Sequence, residues 1–362
     1  MNVKMSNQLV ETFSSIFPKS LISVIQKECH LISNMAKALP DGKMTTYWMD
    51  INQEPRFALE HIVKHIIKTD YPKVIDENIV GCEWWVQVRR PTDDIVFHFD
   101  KDEGLASNKK IFQFPLKATV TYLTDCGGPT MVFDHRTTER NDDYIPKKPE
   151  NGFISMPEIG KHIAFDGELF HGVLGSMSKT NNTEDYRITF LVNYWTYKPE
   201  LPNCLQFPET ELSQMKQFTK RQLTTLSKTK KKLDEIIPLP LNTSDTIYSI
   251  KRGVQSFFYS LPEQIERNKT FSFKALSRQK EITSGYLQVK RITSNKFDIL
   301  MKLDYSKDWY WTCQFGTYPI EMSIKSTNTI SKYINKSTPI YFRAYNAKTQ
   351  DLIAFEKKYI HI

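Results

Sequence analysis

No apolar stretch in the 362 residues approaches the roughly 20 residues that a membrane-spanning helix needs. A protein without a membrane span is therefore expected. The first residues, Met1 to Glu11, are polar and contain no apolar signal core, which predicts an intracellular, cytoplasmic protein. Cysteine is scarce: Cys29, Cys82, Cys126, Cys204 and Cys313 lie far apart, are odd in number and include no C-x-x-C pair. That spacing argues against a disulfide framework and against a structural zinc site, and it suits a reducing compartment. Internal repeats are absent, and the only low-complexity tract is the short run Lys228–Lys232.

What is present is an ordinary globular composition, 40% hydrophobic and 25% charged. The length favours two domains over one. The formal charge of +8 is unevenly spread: residues 206–362 hold 26 Lys and Arg against 14 Asp and Glu, and residues 1–205 hold 23 against 27. The second half thus carries +12 and the first −4. A basic module of this kind is either a lysine-rich solvated face or a reader of an anionic partner.

Periodicity divides the chain further. Gln8 to Lys37 reads as helical, with Val10, Phe13, Phe17, Leu21, Val24 and Ile25 at helix-like spacing and Pro18 splitting the run. Pro55 to Lys68 reads as a second helix. From Glu83 onward, short aromatic and β-branched runs alternate with Gly, Pro, Asn and Asp: Trp84–Arg89, Ile95–Phe99, Gln113–Leu123, Thr130–Phe133, Gly152–Met156, His162–Phe165, Leu169–Leu174 and Ile188–Trp195. Many short strands after helices predict a mainly β sandwich or jelly roll with helical packing on one side. Glu209 to Ile236 reads as a lysine-rich helix. Alternation resumes after Thr246, with Phe271–Phe273 the first of seven expected strands, which fits a small β-sandwich. The expected organisation is a domain over 1–205, a helical linker over 206–245 and a basic β-sandwich over 246–362.

The chemistry-bearing motif is His98-Phe99-Asp100. Alternate side chains of a strand share a face, so His98 and Asp100 point together while Phe99 turns into packing. Alone, H-x-D is a weak signal. His171, on the strand Leu169–Leu174, supplies a third ligand. Two His and one carboxylate on one face of a metal leave open positions opposite, the geometry of non-haem Fe(II) oxygenases. Further on, Arg187 opens the apolar run to Trp195. A buried Arg on a strand needs an anion, either the carboxylate of a co-substrate or a structural Asp or Glu. Tyr122 could add a phenolic donor.

The order H-x-D, a strand ending Tyr122-Leu123-Thr124, the turn Gly127-Gly128-Pro129-Thr130 into Met131-Val132-Phe133, then His171 and Arg187, resembles the 2-oxoglutarate/Fe(II) dioxygenase superfamily. Its prolyl-hydroxylase-like branch is the most similar pattern, and the resemblance covers about residues 83–196. It implies a double-stranded β-helix (jelly roll) catalytic domain. It also implies Fe(II) on His98, Asp100 and His171, and 2-oxoglutarate with its far carboxylate on Arg187, assisted by Tyr122 and Thr189. Ascorbate is the expected accompanying reductant. The implied reaction couples oxidative decarboxylation of 2-oxoglutarate to oxidation of a substrate, which the sequence does not single out among proteins, nucleic acids and small molecules.

Departures from the pattern narrow the class. Arg187 stands where collagen-type prolyl hydroxylases place Lys. A polar insert, Ser176 to Glu184, lengthens the interval between His171 and Arg187. Phe190-Leu191-Val192-Asn193 lacks the second Arg of the nucleic-acid demethylase branch. Asp100 is present where halogenases carry a small residue, so hydroxylation or a related oxidation is the expected outcome. The competing readings are a non-catalytic binding or scaffolding protein on this fold, opposed by the complete triad, and a cupin-type metal enzyme, opposed by Arg187.

Other residues carry weaker signals. Of Trp84 and Trp85, on opposite faces of a strand, one is expected in the core and the other, Trp85, at the substrate mouth. Arg89 and Arg90 either reach an acidic substrate group, for which Arg89 is the candidate, or end a solvated strand. Asp102 and Glu103 read as loop carboxylates, His135 and His162 as structural. His61 and His65, at i and i+4, form a metal pair only if a further ligand completes it.

Overall fold

The computed structural model describes residues 9–37, 45–70, 79–141, 143–146, 149–178, 185–200, 204–229, 231–239, 265–266 and 269–274, together with the strands named below at 246–261 and beyond residue 284. The chain divides into two compact units, Met1–Thr243 with Pro262–Ala275, and Ser244–Leu261 with Leu276–Ile362.

In chain order, the first unit begins with β1 (Val10–Ser14), α1 (Lys19–Lys37), β2 (Thr46–Asp50), α2 (Ala58–Asp70), β3 (Gly81–Arg89), β4 (Ile95–His98), α3 (Glu103–Lys109), β5 (Lys117–Tyr122) and β6 (Thr130–Phe133). There follow β7 (Arg136–Thr137), β8 (Tyr144–Ile145), β9 (Asn151–Ser155), β10 (His162–Asp166), β11 (His171–Val173), β12 (Arg187–Trp195), β13 (Cys204–Gln206), α4 (Lys220–Ser227), β14 (Lys232–Leu233) and β15 (Ile236–Pro238). After the hairpin of β16 (Thr246–Arg252) and β17 (Gln255–Leu261), the chain returns to this unit as β18 (Thr270–Lys274).

Eight strands form a large sheet in the order β13-β2-β3-β12-β5-β10-β1-β14, and six form a second sheet, β15-β18-β9-β6-β11-β4. Pairing is antiparallel except at β13-β2 and β15-β18. The two sheets share a core in which Trp85, Val120, Tyr122, Phe165 and Leu191 of the large sheet meet Val132 of the small one. This is the two-sheet, mostly β architecture of a jelly roll.

Strand β12 shows why the large sheet is covered on both faces. All nine of its residues are buried. Ile188, Phe190, Val192 and Tyr194 join the core beneath the helices, with Trp84 and Val86 of β3 beside them. The helices supply matching stripes: Leu21, Ile25, Cys29 and Ile32 from α1, and Leu59, Ile62, Val63, Ile66 and Ile67 from α2. Truncating one of these, such as Ile66→Ala, should cost about 2–5 kcal/mol. The opposite positions of β12, Arg187, Thr189, Leu191 and Asn193, face the second sheet, where apolar packing gives way to polar groups.

Four elements differ from the sequence reading. Val10–Ser14 is an edge strand on β10, with Val10 opposite Phe165 and Phe13 opposite His162, rather than the start of a helix. Pro18, which lacks an N–H, sits immediately before α1 and starts it instead of splitting it. The lysine-rich helix expected over Glu209–Ile236 is confined to Lys220–Ser227, opened by a Thr219/Gln222 capping box. The residues after it pair as β14 and β15. Phe271–Phe273, expected in the accessory β-sandwich, lies in β18 and pairs with β9 of the first unit.

In the second unit, β16 and β17 pair with each other. Its other strands are β19 (Gly285–Arg291), β20 (Lys296–Leu303), β21 (Trp309–Phe315), β22 (Met322–Ile324), β23 (Thr327–Tyr333), β24 (Thr338–Asn346) and β25 (Leu352–Ile360). They form the sheets β19-β20-β23 and β22-β21-β24-β25. The element type is β throughout its described residues.

Candidate metal centre

Strands β4 and β11 are antiparallel neighbours, and their register places His171 opposite His98. The two imidazole centroids lie 4.5 Å apart. Asp100, two residues after His98, closes the set: one carboxylate oxygen is 3.3 Å from His98 Nε2 and the other 3.6 Å from His171 Nε2. Phe99, just past the end of β4, turns away to pack on Phe170.

The hydrogen bonds define what the trio can bind. His98 Nδ1 lies 2.7 Å from the Val96 carbonyl, and His171 Nδ1 lies 2.9 Å from the Leu169 carbonyl. A carbonyl oxygen only accepts, so each Nδ1 carries a proton and donates it. In the neutral rings, both Nε2 atoms then present lone pairs to the carboxylate. With both rings neutral, three acceptors within 4.8 Å of one another repel unless a cation lies between them. Without a metal, burial is outweighed by Asp100, which raises the His98 pKa, and a proton on that ring serves instead. Burial pushes His171 down to about 4, with the positive charge of His98 adding to the effect against the pull of Asp100. Burial alone would raise Asp100, but His171 and His98 beside it and a hydrogen bond from Asn193 hold its carboxyl well below the usual carboxylate range. The site thus keeps its carboxylate ionised and one imidazole neutral, the protonation states that metal ligands need. Among the described residues, this is the one cluster of three metal-ligating side chains.

Asn193 was not singled out by the sequence. Its Nδ2 donates to Asp100 Oδ2 at 3.0 Å, fixing the carboxylate from behind, and its own Oδ1 is buried without a partner. Strand alternation from Arg187 could have found it, because positions 187, 189, 191 and 193 share a face.

His98, at 43% side-chain exposure, marks the open side of a cleft between the sheets. Trp85, Gln87, Thr130 and Arg187 also line it, and its cavity volume is about 60 Å³. Arg187 is the unusual member. It is buried, and its donors go to the Gly128 carbonyl at 3.1 Å, Thr130 Oγ1 at 3.0 Å and Thr189 Oγ1 at 3.4 Å. All three acceptors are neutral. Among the described residues no carboxylate pairs with it, so the structural Asp or Glu that the sequence left open is not there. Burial lowers its pKa, and a guanidinium whose ordinary value is so high nonetheless stays charged. The Gly127-Gly128 turn makes room for it. Gly127 has a φ of +99°, and a Cβ there would meet the Arg187 side chain at 2.7–2.8 Å.

The remaining candidates sort plainly. Tyr122 gives its phenolic proton to the Ser155 carbonyl at 2.9 Å, so that proton is not available to a ligand in the cleft. Its ring lies 5.5 Å from the Arg187 guanidinium. Trp84 belongs to the helix-side core and Trp85 to the cleft. Arg89 is half-buried at the end of β3, opposite Arg187 in register, and does not line the cleft. Asp102 caps α3 and accepts from Tyr197 and the Glu200 amide, while Glu103 pairs with Lys101. His135 bonds the Pro146 carbonyl, and His162 is buried between Thr121 and Asp70. His65 is committed to the Ile16 carbonyl, so no metal pair forms with His61.

No protein-family model matches the chain, and no curated protein matches it. Among solved structures it is similar to a prolyl-4-hydroxylase from Pseudomonas putida, with a TM-score of 0.36 and 13% identity over 54% of this chain and 96% of that one. It is similar to HygX from Streptomyces hygroscopicus with iron bound, at a TM-score of 0.31 and 11% identity over 53% of this chain and 84% of that one. A third is EvdO2 from Micromonospora carbonacea complexed with 2-oxoglutarate, at a TM-score of 0.30 and 10% identity over 54% and 91% of the two chains. All three likenesses are distant.

Proposed function

We propose that this chain is an Fe(II)- and 2-oxoglutarate-dependent oxygenase, acting as a hydroxylase, with His98, Asp100 and His171 as the iron ligands. The observation that carries it is the pairing, in one cleft, of three convergent metal-ligating side chains with a buried guanidinium that, among the described residues, has no carboxylate partner. A ligand set of two imidazoles and one carboxylate suits Fe(II) and leaves positions open for a chelating acid and oxygen. When bound, the iron supplies oxidising chemistry, driven by decarboxylation of the co-substrate to succinate, with ascorbate as the reductant that sustains it.

The chain's own residues bind, orient and exclude water. Arg187 would hold the far carboxylate of 2-oxoglutarate through its guanidinium, which Thr130 and Thr189 fix in place by hydrogen bonds. Tyr122 steadies Arg187 through its ring instead of touching the co-substrate. Asn193 holds Asp100 in the plane in which it meets the metal. Trp85 walls the cleft beside the open side at His98, where a substrate would enter.

The test is anaerobic titration of the full-length protein with Fe(II) and then 2-oxoglutarate, followed by measurement of succinate release on admitting oxygen. One Fe(II) per chain, 2-oxoglutarate binding that requires the metal, and slow succinate release without added substrate are expected. Iron content unchanged in the His98→Ala/Asp100→Ala double variant would rule out the ligand assignment.

A further inference from the structure

A second concavity lies between α2 and α4, on the outer side of the large sheet and away from the metal cleft. One wall carries His61, Lys64, His65 and Lys68, and the other carries Thr229 and Lys231. Its cavity volume is about 380 Å³, and among the described residues no carboxylate lines it. A shallower depression shares Thr229 and extends along α4 past Lys228 and Arg221, both exposed. Five cations, Lys64 and Lys68 of α2 with Arg221, Lys228 and Lys231 in and after α4, therefore border two concavities that meet at Thr229 and together form the groove.

Their charge is offset only in part: Asp70 and Glu11 act on Lys231, and neither forms an ion pair with it. Lys64 donates to the Ile51 carbonyl and Lys231 to the Thr69 carbonyl, both neutral acceptors. Asp70, at the end of α2, is taken by His162 at 2.9 Å and Tyr194 at 2.5 Å. Glu60 is taken by Arg56. Among the described residues, none of Lys64, Lys68 and Lys231 has a carboxylate within ion-pair distance. The hydroxyls of Thr224, Thr225 and Thr229 donate back to helix carbonyls, so recognition would fall to the lysine and arginine heads.

We propose that this groove docks the phosphodiester backbone of a nucleic acid. Lysine is a compact point charge suited to phosphate oxygens. A row of such charges along an open trough fits a chain of phosphates better than one small anion, which needs donors converging on a point. A lipid surface is a poorer match, because the groove is concave and its leucines, Leu223 and Leu226, are packed into the core rather than presented at a rim. The face of α2 opposite the groove packs on the sheet, so the site recruits and does not react. The proposal stands independently of what the metal cleft binds.

The test is fluorescence anisotropy of a labelled single-stranded DNA oligonucleotide with the full-length protein over a salt series. Lys64→Gln/Lys68→Gln/Lys231→Gln should weaken binding by about tenfold or more and make the log–log salt slope shallower by roughly 2–3 units. Lys64→Arg/Lys68→Arg/Lys231→Arg should bind as wild type, as should Lys19→Gln/Lys27→Gln/Lys109→Gln elsewhere on the surface. Should the first variant lose its native melting transition, the exposed pair Arg221→Gln/Lys228→Gln decides, with a severalfold loss expected. Wild-type affinity and slope in the folded glutamine variants would overturn the proposal and leave any binding to the basic second unit. Loss of binding to phosphatidylserine vesicles with oligonucleotide binding unchanged would overturn it equally.

Discussion

Replacing Arg187 by methionine separates a ligand-binding role from a structural one. The change keeps the unbranched stem that lies against Gly127 and removes the charge. Without co-substrate, the guanidinium hydrogen-bonds only neutral acceptors, the Tyr122 hydroxyl included, and makes no ion pair among the described residues. Each such bond contributes about 1 kcal/mol. Against them stands the cost of burying a charge, several kcal/mol for an ion with no counter-ion. The two nearly offset, so metal-free Arg187→Met should melt close to wild type. With 2-oxoglutarate bound the balance reverses, because the variant leaves a carboxylate buried without its cation. Breaking a buried pair in this way costs roughly 3–5 kcal/mol, or about two to four decades of affinity. Arg187→Lys should fall between, since lysine keeps the charge and loses the fork. Calorimetric titration of 2-oxoglutarate into the anaerobic Fe(II) protein reads the affinity, and scanning calorimetry of the metal-free protein reads the stability. Wild-type 2-oxoglutarate affinity in Arg187→Met would refute the reasoning. So would a collapse in metal-free stability with affinity preserved, which would make Arg187 a structural cation.

Three further outcomes are expected. Asp100→Ala should abolish most Fe(II) affinity by removing the only anionic ligand, and Asn193→Ala should reduce it by roughly 10–100-fold through the loosened carboxylate; metal titration by calorimetry distinguishes the two. Burial, with the charges of Asp100 and Asp102 adding to it, raises the Glu83 carboxyl to about 7, so the folded protein holds a proton there that the unfolded chain releases from about pH 4.5 upward. Stability of the metal-free protein should therefore decline as pH rises across that window, by up to about 3 kcal/mol, and Glu83→Gln should flatten the decline in urea titrations at several pH values. Ending the chain at Pro240 removes β18, which pairs with β9 and β15 and places Thr270 Oγ1 3.1 Å from Thr12 Oγ1. That truncation should yield unstable, iron-poor protein, whereas one ending at Ala275 should stay soluble and bind iron; equal behaviour of the two would show that β18 is dispensable.

The sequence by itself determined the local pieces of the site and the type of most elements. His98-Phe99-Asp100 announces its own geometry, because strand alternation is a covalent property of extended chain. The Gly127-Gly128 pair marks a turn for the same kind of reason, since a backbone with positive φ excludes most side chains. The amphipathic run of α2 and the alternation of β12 were likewise legible, each having the period of its own element. What the sequence left open was settled by partners remote along the chain. Val10 and Phe13 have helix-compatible spacing, yet β10, about 150 residues later, offers an unpaired edge, and edge pairing outweighed local propensity. Phe271–Phe273 joined the first unit for the same reason, having an open strand beside β9. The lysine-rich stretch after Pro208 supplied too narrow an apolar stripe for a long helix and kept only the turns that Leu223 and Leu226 anchor. Whether Arg187 had a carboxylate partner, whether the Tyr122 proton was free, and which side chain braced Asp100 all depend on contacts 30 to 90 residues away in sequence. Such contacts exist only once both sheets have closed over the cleft.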